Sequence, residues 1–263
     1  MVIYRTDCFN ESGINPFTNN EYDDSWVIFI LTDSTDYKQT VGAKNSCAYT
    51  VKTSRVLCDN WRVSVGDFIS FHEAVGKNII LVMTQKELEA VKSYYGNHKY
   101  NDAYLRENEP VVLIHSTPMS NWLKIKDDCM LKSFNLLNSN KTDIVHPIGR
   151  SLGDPADFSD YIMFGTGITG ELVVSSKQQG KIVMDPNAEY LTGARLYFDA
   201  RKMAQDGLII RDGCHIKVKD KLPLSPYLIW TATWENIGLP SPISTPSAFA
   251  ELADEVFRSN FTA

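Results

Sequence analysis

The sequence lacks any apolar run of membrane length. Stretches such as residues 26–31 and 111–114 are far shorter than the roughly 18 residues a spanning helix needs, so no membrane partner is expected. The opening, MVIYRTDCFNESG, has neither a basic start nor a long apolar core. That excludes a secretory leader there and makes a cytoplasmic location the expectation. Cysteines are few and unpaired in pattern: Cys8, Cys47, Cys58, Cys129 and Cys214 are scattered, odd in number and never spaced C-x-x-C. This excludes a disulfide framework and a zinc site, and predicts reduced thiols and no metal. Basic charge is also in deficit, at a net −6. Such a chain does not coat itself with nucleic acid through bulk electrostatics, although a local basic groove remains compatible with the total. Internal repeats and low-complexity tracts are absent.

What is present suits a globular chain. Its 263 residues, 43% apolar and 22% charged, can build one large domain or two modest ones. Residues 1–109 read as a β-rich N-terminal domain. SWVIFILT (25–32) is a compact run of branched and aromatic residues, as a buried strand requires. CAYTVKTSRVL alternates loosely. VSVGDFISFHEAVGKNIILVMT reads as strand, glycine-containing turn and strand. QKELEAVKSYY then carries Leu88, Val91 and Tyr95 at helical spacing. The polar GNHKYNDAYLRENEP marks a boundary.

Residues 110–263 read as a second domain. The strand VVLIHS ends at His115 and leads into a helix that Thr117 caps and Pro118 opens, with Met119, Trp122, Leu123 and Ile125 on its apolar side. ELVVSS, GKIVMD, RLYFDA and HIKVKD read as strands. ARKMAQDG reads as a short helix stopped by Gly207. TPSAFAELADEVFRSNF reads as an amphipathic helix, capped by Thr245 or Ser247, that buries Phe249, Leu252, Ala253, Val256 and Phe257. GTGITGE spells G-x-G-x-x-G literally, but not between a strand and a helix. It reads as a loop before Glu171 rather than a phosphate cradle.

A strand ending in His115-Ser116-Thr117 and followed directly by a helix resembles the opening of the ADP-ribosyltransferase fold, where a His-Gly-Thr-like triplet sits in the NAD cleft. IGRSLGDPADFSDYIMFG resembles a segment of the DNA-ADP-ribosylating toxins of toxin–antitoxin pairs. There an arginine, here Arg150, precedes an Asp-Tyr-Val-Pro-Phe-like strand, here Asp160 to Phe164. RLYFDARKMAQDGLIIRDGCHIKVKDKLPLSPYLI resembles the C-terminal half of those toxins and of the RNA 2′-phosphotransferases. The resemblance spans roughly residues 111–230. It implies an α+β fold, in which a β-rich N-terminal domain precedes an ADP-ribosyltransferase-like split β-sheet domain with flanking helices. One departure stands out. The transferase toxins place a catalytic glutamate just before the Leu-Pro turn, where this chain has Cys214 and His215.

The resemblance implies NAD as co-substrate and a nucleic acid, RNA or DNA, as acceptor. It also implies a role as toxin or phage-defence effector, restrained by an antitoxin or inhibitor protein. Cleaving the nicotinamide–ribose bond requires grip, water exclusion and stabilisation of positive charge at the ribose. His115 would bond the ribose and Arg150 the pyrophosphate. Tyr161 would stack on nicotinamide, and Glu171 would supply the missing carboxylate. Ser116 and Thr117 would line the cofactor site, and Arg195 matches an arginine that binds phosphate in the 2′-phosphotransferases. Two other expectations stand beside this one: an RNA 2′-phosphotransferase, and a non-enzymatic binding protein on a degenerate transferase fold.

Overall fold

The computed structural model describes residues 3–7, 13–42, 48–139, 149, 154–165 and 167–261. It is a mixed α+β chain that divides into two compact units. The first comprises residues 1–102, 149–159 and 209–216, and the second residues 103–148, 160–208 and 217–263. Each unit is therefore assembled from three separate pieces of chain.

The first unit is built on strands β1 (Ile3–Thr6), β2 (Trp26–Thr32), β3 (Gln39–Gly42), β4 (Tyr49–Ser54) and β5 (Asn78–Val82), with helices α1 (Trp61–Ala74) and α2 (Gln85–Tyr95). The sheet order is β1-β5-β2-β4-β3, parallel throughout except at β3. Its central strand, β2, is the apolar run of SWVIFILT. Trp26, Ile28 and Ile30 pack on one face with Ile80 and Val82, while Phe29 meets Phe68 of α1 edge-on at 5.2 Å on the other. A strand buried on both faces needs an unbroken apolar run, and this one has it.

Of the strand, turn and strand expected across VSVGDFISFHEAVGKNIILVMT, the second strand forms as β5, but the first is overturned, because VSVGDFISFHEA lies within α1. Trp61, Val65, Phe68, Ile69 and His72 are all buried and recur at helical spacing. The branched and aromatic content favours a strand, but packing a helical face on the sheet outweighs that propensity. The unit is accordingly α/β in character rather than β-rich. Helix α2 matches its sequence signal. The Thr84 hydroxyl accepts from the Glu87 amide while the Glu87 side chain accepts from the Thr84 amide, which closes a capping box.

The second unit begins with β6 (Val112–Thr117), α3 (Met119–Asp128), β7 (Met130–Lys132), α4 (Phe134–Asn138), β8 (Tyr161–Phe164), α5 (Thr169–Gln179) and β9 (Tyr190–Leu191). It continues through β10 (Ala194–Asp199) and α6 (Ala200–Gln205). The short β11 (Ile210–Arg211) falls in the first unit. After β12 (Ile216–Lys219), the chain runs through β13 (Lys221–Pro223), β14 (Leu228–Ala232), β15 (Ile243–Ser244) and α7 (Pro246–Phe261). The main sheet is β14-β10-β6, with β10 antiparallel to both neighbours. At β6 it is joined to the end of β8 by a single bridge, where the Ile114 and Gly165 amides and carbonyls bond each other. Beyond that bridge β8 turns to pair with β12 instead.

Several boundaries differ from the sequence-based expectation. Thr117 is the last residue of β6, and Pro118 is the N-cap of α3, with no side-chain capping bond. Trp122 is buried, but Leu123 is 50% exposed. ELVVSS is not a strand: it lies inside α5. GKIVMD forms no strand either. The short helix after RLYFDA forms, capped by Asp199, whose carboxylate accepts from the Lys202 amide; Gly207 follows at φ +69°. The final helix also forms. The Thr245 hydroxyl accepts from the Ala248 amide, and Phe249, Ala250, Ala253 and Phe257 are buried.

Candidate functional site

Register places Ser116 on β6 opposite Arg195 on β10, and His115 opposite Leu196. Strand alternation then puts His115 and Ser116 on opposite faces of β6. The residues expected to form one site divide accordingly.

On the Ser116 face lies a buried polar cluster. Glu171, in the first turn of α5, and Arg195 are both 0% exposed. Ser116 Oγ donates to Glu171 Oε1 at 2.5 Å, Tyr190 Oη to Oε2 at 2.8 Å, and Arg195 Nη1 to Oε1 at 3.2 Å. Arg195 also donates through Nε and Nη2 to Asp254 of α7, at 3.0 Å each, and through Nη2 to the Gly167 carbonyl at 2.9 Å. Tyr197 Oη donates to Asp254 Oδ1 at 2.7 Å. One guanidinium thus spans two carboxylates from two helices. Burial works against its charge, but Glu171, Tyr197 and Asp254 outweigh that and raise its pKa. Burial raises the Glu171 carboxyl, and Arg195, Ser116 and Tyr190 pull it back. Burial, with Glu171 beside it, pushes the Tyr190 phenol far up, so it stays a donor.

This geometry corrects the role expected of Glu171. It sits in a helix, not at a strand start, and both carboxylate oxygens are already bonded. A buried carboxylate bonded in this way ties α5 to β6 and β10. Arg195 is spent in the same way, since Nε, Nη1 and Nη2 all have protein acceptors. A free phosphate would have to displace a buried ion pair.

The glycines explain the close approach. A Cβ on Gly170 would stand 2.5 Å from Ser116 Oγ, and one on Gly193 would stand 2.0 Å from the Thr117 carbonyl. Contrary to expectation, GTGITGE runs from the end of β8 into α5; of its glycines, Gly170 serves packing, and Gly167, at φ +64°, offers its carbonyl to Arg195.

On the other face, His115 Nδ1 lies 3.0 Å from the Met163 carbonyl of β8, and the ring meets Phe164 edge-on at 5.9 Å. A carbonyl can only accept, so Nδ1 carries the proton and Nε2 is left as an acceptor. Burial lowers the His115 pKa to about 4, against the Met163 contact, so the ring is neutral at pH 7. Ser116 and Thr117 are buried. Tyr161 on β8 carries the Lys217 ammonium 4.6 Å from its ring centroid. That ring face is engaged by a cation already, which disfavours stacking a positively charged nicotinamide on it. Arg150 lies outside the described residues.

Asp254, Tyr190 and Tyr197 were missed by sequence reasoning. A signal existed for the first. Asp254 stands four residues after Ala250 and three before Phe257, so it borders the buried stripe of α7. An acid at such a position calls for a buried cation. No protein-family model matches this chain, and neither a curated protein nor a solved structure was found to match it. No helix among the described residues is long and apolar enough to cross a membrane.

Proposed function

We propose that the second unit is an NAD-consuming ADP-ribosyltransferase that modifies nucleic acid, as a toxin or phage-defence effector. The observation that supports this best is His115. It is a neutral imidazole on β6, next to Ile114, where the sheet passes by one bridge to β8. Its Nδ1 is held by Met163, which leaves Nε2 to accept from a ribose hydroxyl. The Ser116–Glu171–Arg195 cluster holds the strand from behind, so the imidazole is presented on a rigid element. In the reaction the bond from ribose C1′ to nicotinamide breaks, nicotinamide leaves with the bonding pair, and an acceptor atom bonds to C1′. Residues that orient the ribose lower the barrier by fixing C1′ against that acceptor. The choice of nucleic acid rests on the resemblance to toxins and is analogy.

One observation favours a second reading, a binding protein on a transferase-like unit: Glu171, the expected carboxylate, is 0% exposed and bonded to Ser116, Tyr190 and Arg195. The phosphotransferase reading gains nothing from Arg195, which is fully engaged.

The test incubates the protein with labelled NAD and separate pools of RNA, single-stranded DNA, duplex DNA and protein. Transfer to a nucleic-acid pool, reduced about 100-fold or more in a folded His115→Ala variant, is the expected result. Transfer to protein alone would overturn the choice of acceptor. Intact NAD in every pool would overturn the enzyme, and NAD binding without turnover would establish the binding protein.

A further inference from the structure

The first unit contains a second cluster, in the stretch where the resemblance to the toxins fails. Asp212, Cys214 and His215 stand in one tight turn. Cys214 Sγ lies 3.9 Å from His215 Nε2, and His215 Nδ1 lies 3.3 Å from Asp212 Oδ2. This order, sulfur to imidazole to carboxylate, is that of an activated nucleophile: a base beside the thiol, with a third group orienting the base. The turn is held from several sides. Asp212 Oδ1 accepts from the Cys214 amide at 3.0 Å and the His215 amide at 2.7 Å. Gly213, at φ +86°, lies against α1, where a Cβ would be 2.3 Å from the Ser64 carbonyl, and its own carbonyl accepts from Gln39 Nε2 at 2.8 Å.

The surroundings suit thiol chemistry. Asp212 is buried, whereas Cys214 is partly exposed and the His215 side chain is 23% exposed, so a small reagent can reach the sulfur. Burial works against charge on His215, but Cys214 and Asp212 outweigh it and hold the imidazole well above its ordinary range. An imidazole in contact with the sulfur can take up or return the thiol proton. Tyr49 adds a second, independent feature. Its ring is buried, its hydroxyl has no hydrogen-bond partner among the described residues, and the charges of Asp212 and Cys214 act on it. The three donors do not suit a metal ion, because the imidazole lies between sulfur and carboxylate and turns opposite edges to them.

We propose that Cys214 is a nucleophilic thiol that exchanges with low-molecular-weight disulfides, with His215 as its proton partner and Asp212 as the residue that positions His215. The Cys214 sulfur bonds to one sulfur of the reagent and the reagent's S–S bond breaks. The departing thiolate carries off the bonding pair and takes the proton held by His215. Cys214 is oxidised to a mixed disulfide, and the released half of the reagent is reduced to a thiol. This site is independent of the NAD reading.

The test treats the reduced full-length chain with oxidised glutathione at pH 6.5 and follows each cysteine by peptide mass spectrometry. Cys129, an exposed thiol whose Sγ bonds the Lys126 carbonyl and which has no histidine hydrogen-bonded to it among the described residues, is the internal reference. Cys214 is expected to take up glutathione at least tenfold faster than Cys129, and dithiothreitol is expected to remove the adduct. His215→Gln is expected to abolish that advantage while Cys129 keeps its rate. Asp212→Asn, which retains the oxygen that accepts the two amides, is expected to reduce it severalfold. An equal or slower rate at Cys214 in the wild-type chain would overturn the proposal without recourse to any variant. So would an unchanged rate in a folded His215→Gln protein.

Discussion

Glu171 is fully buried and His115 partly so, and burial moves the two in opposite directions, lowering the imidazole pKa and raising that of the carboxyl. For His115 the folded pKa is about 4 against about 6.5 unfolded. Between those values the unfolded chain binds the proton and the folded chain does not, so acid favours unfolding. The stabilisation is fully present above pH 6.5 and is lost as the pH falls towards 4, by up to about 3 kcal/mol. Urea unfolding at pH 7.5 and 4.5 checks this: His115→Gln should show a smaller loss than the wild type over that interval, and equal losses would refute the assignment. For Glu171, Ala substitution leaves Arg195 with Asp254 as its one carboxylate partner and removes the acceptor of Ser116 and Tyr190, and a loss of about 3 kcal/mol is expected. Glu171→Gln keeps an acceptor for Ser116 or Tyr190 and should cost less. The order of the two unfolding midpoints is the measurement.

Helix α5 decides the candidate site, because it carries Glu171 and because Gly170 lets it lie on β6. Elsewhere, alanine in place of glycine inside a helix gains roughly 0.5–1 kcal/mol. Here the added methyl meets Ser116 Oγ and Cβ at 2.5 and 2.9 Å, and Ser116 belongs to the strand that presents His115. Gly170→Ala should therefore lower stability by about 1–3 kcal/mol, against its helix propensity. A thermal-melting series of Gly170→Ala beside Gly180→Ala separates the causes: at Gly180 nothing lies within 4 Å, and the cost comes from φ +63° alone.

The division into units crosses the order of the chain. Residues 149–159 and 209–216 belong with residues 1–102. Phe158 meets Tyr49 edge-on at 5.2 Å and His215 at 5.9 Å, and the Arg211 amide bonds the Tyr100 carbonyl at 2.9 Å. A fragment of residues 1–109 lacks all of these partners. It should show weak near-ultraviolet circular dichroism and a broad, early melt, whereas the intact chain melts cooperatively. A sharp transition for the fragment would show that the two returning segments add little.

By itself the sequence determined the elements whose signal is local. The apolar run of β2, the helical spacing of α2, the Gly207 stop after α6 and the stripe of α7 are legible because neighbouring residues carry each of them. That His115 stands on an apolar strand was legible in the same way, although the strand runs on to Thr117. What tertiary structure decided depends on residues distant in sequence. VSVGDFISFHEA and ELVVSS carry branched residues suited to strands, yet a sheet or strand to pack on turned both into helices. Glu171, Arg195 and Asp254 each resemble a surface or site charge when read alone. Only the folding of α5 and α7 onto β6 and β10 brings both carboxylates within 3.2 Å of Arg195 and joins the three in one hydrogen-bonded group, with Glu171 and Arg195 fully buried.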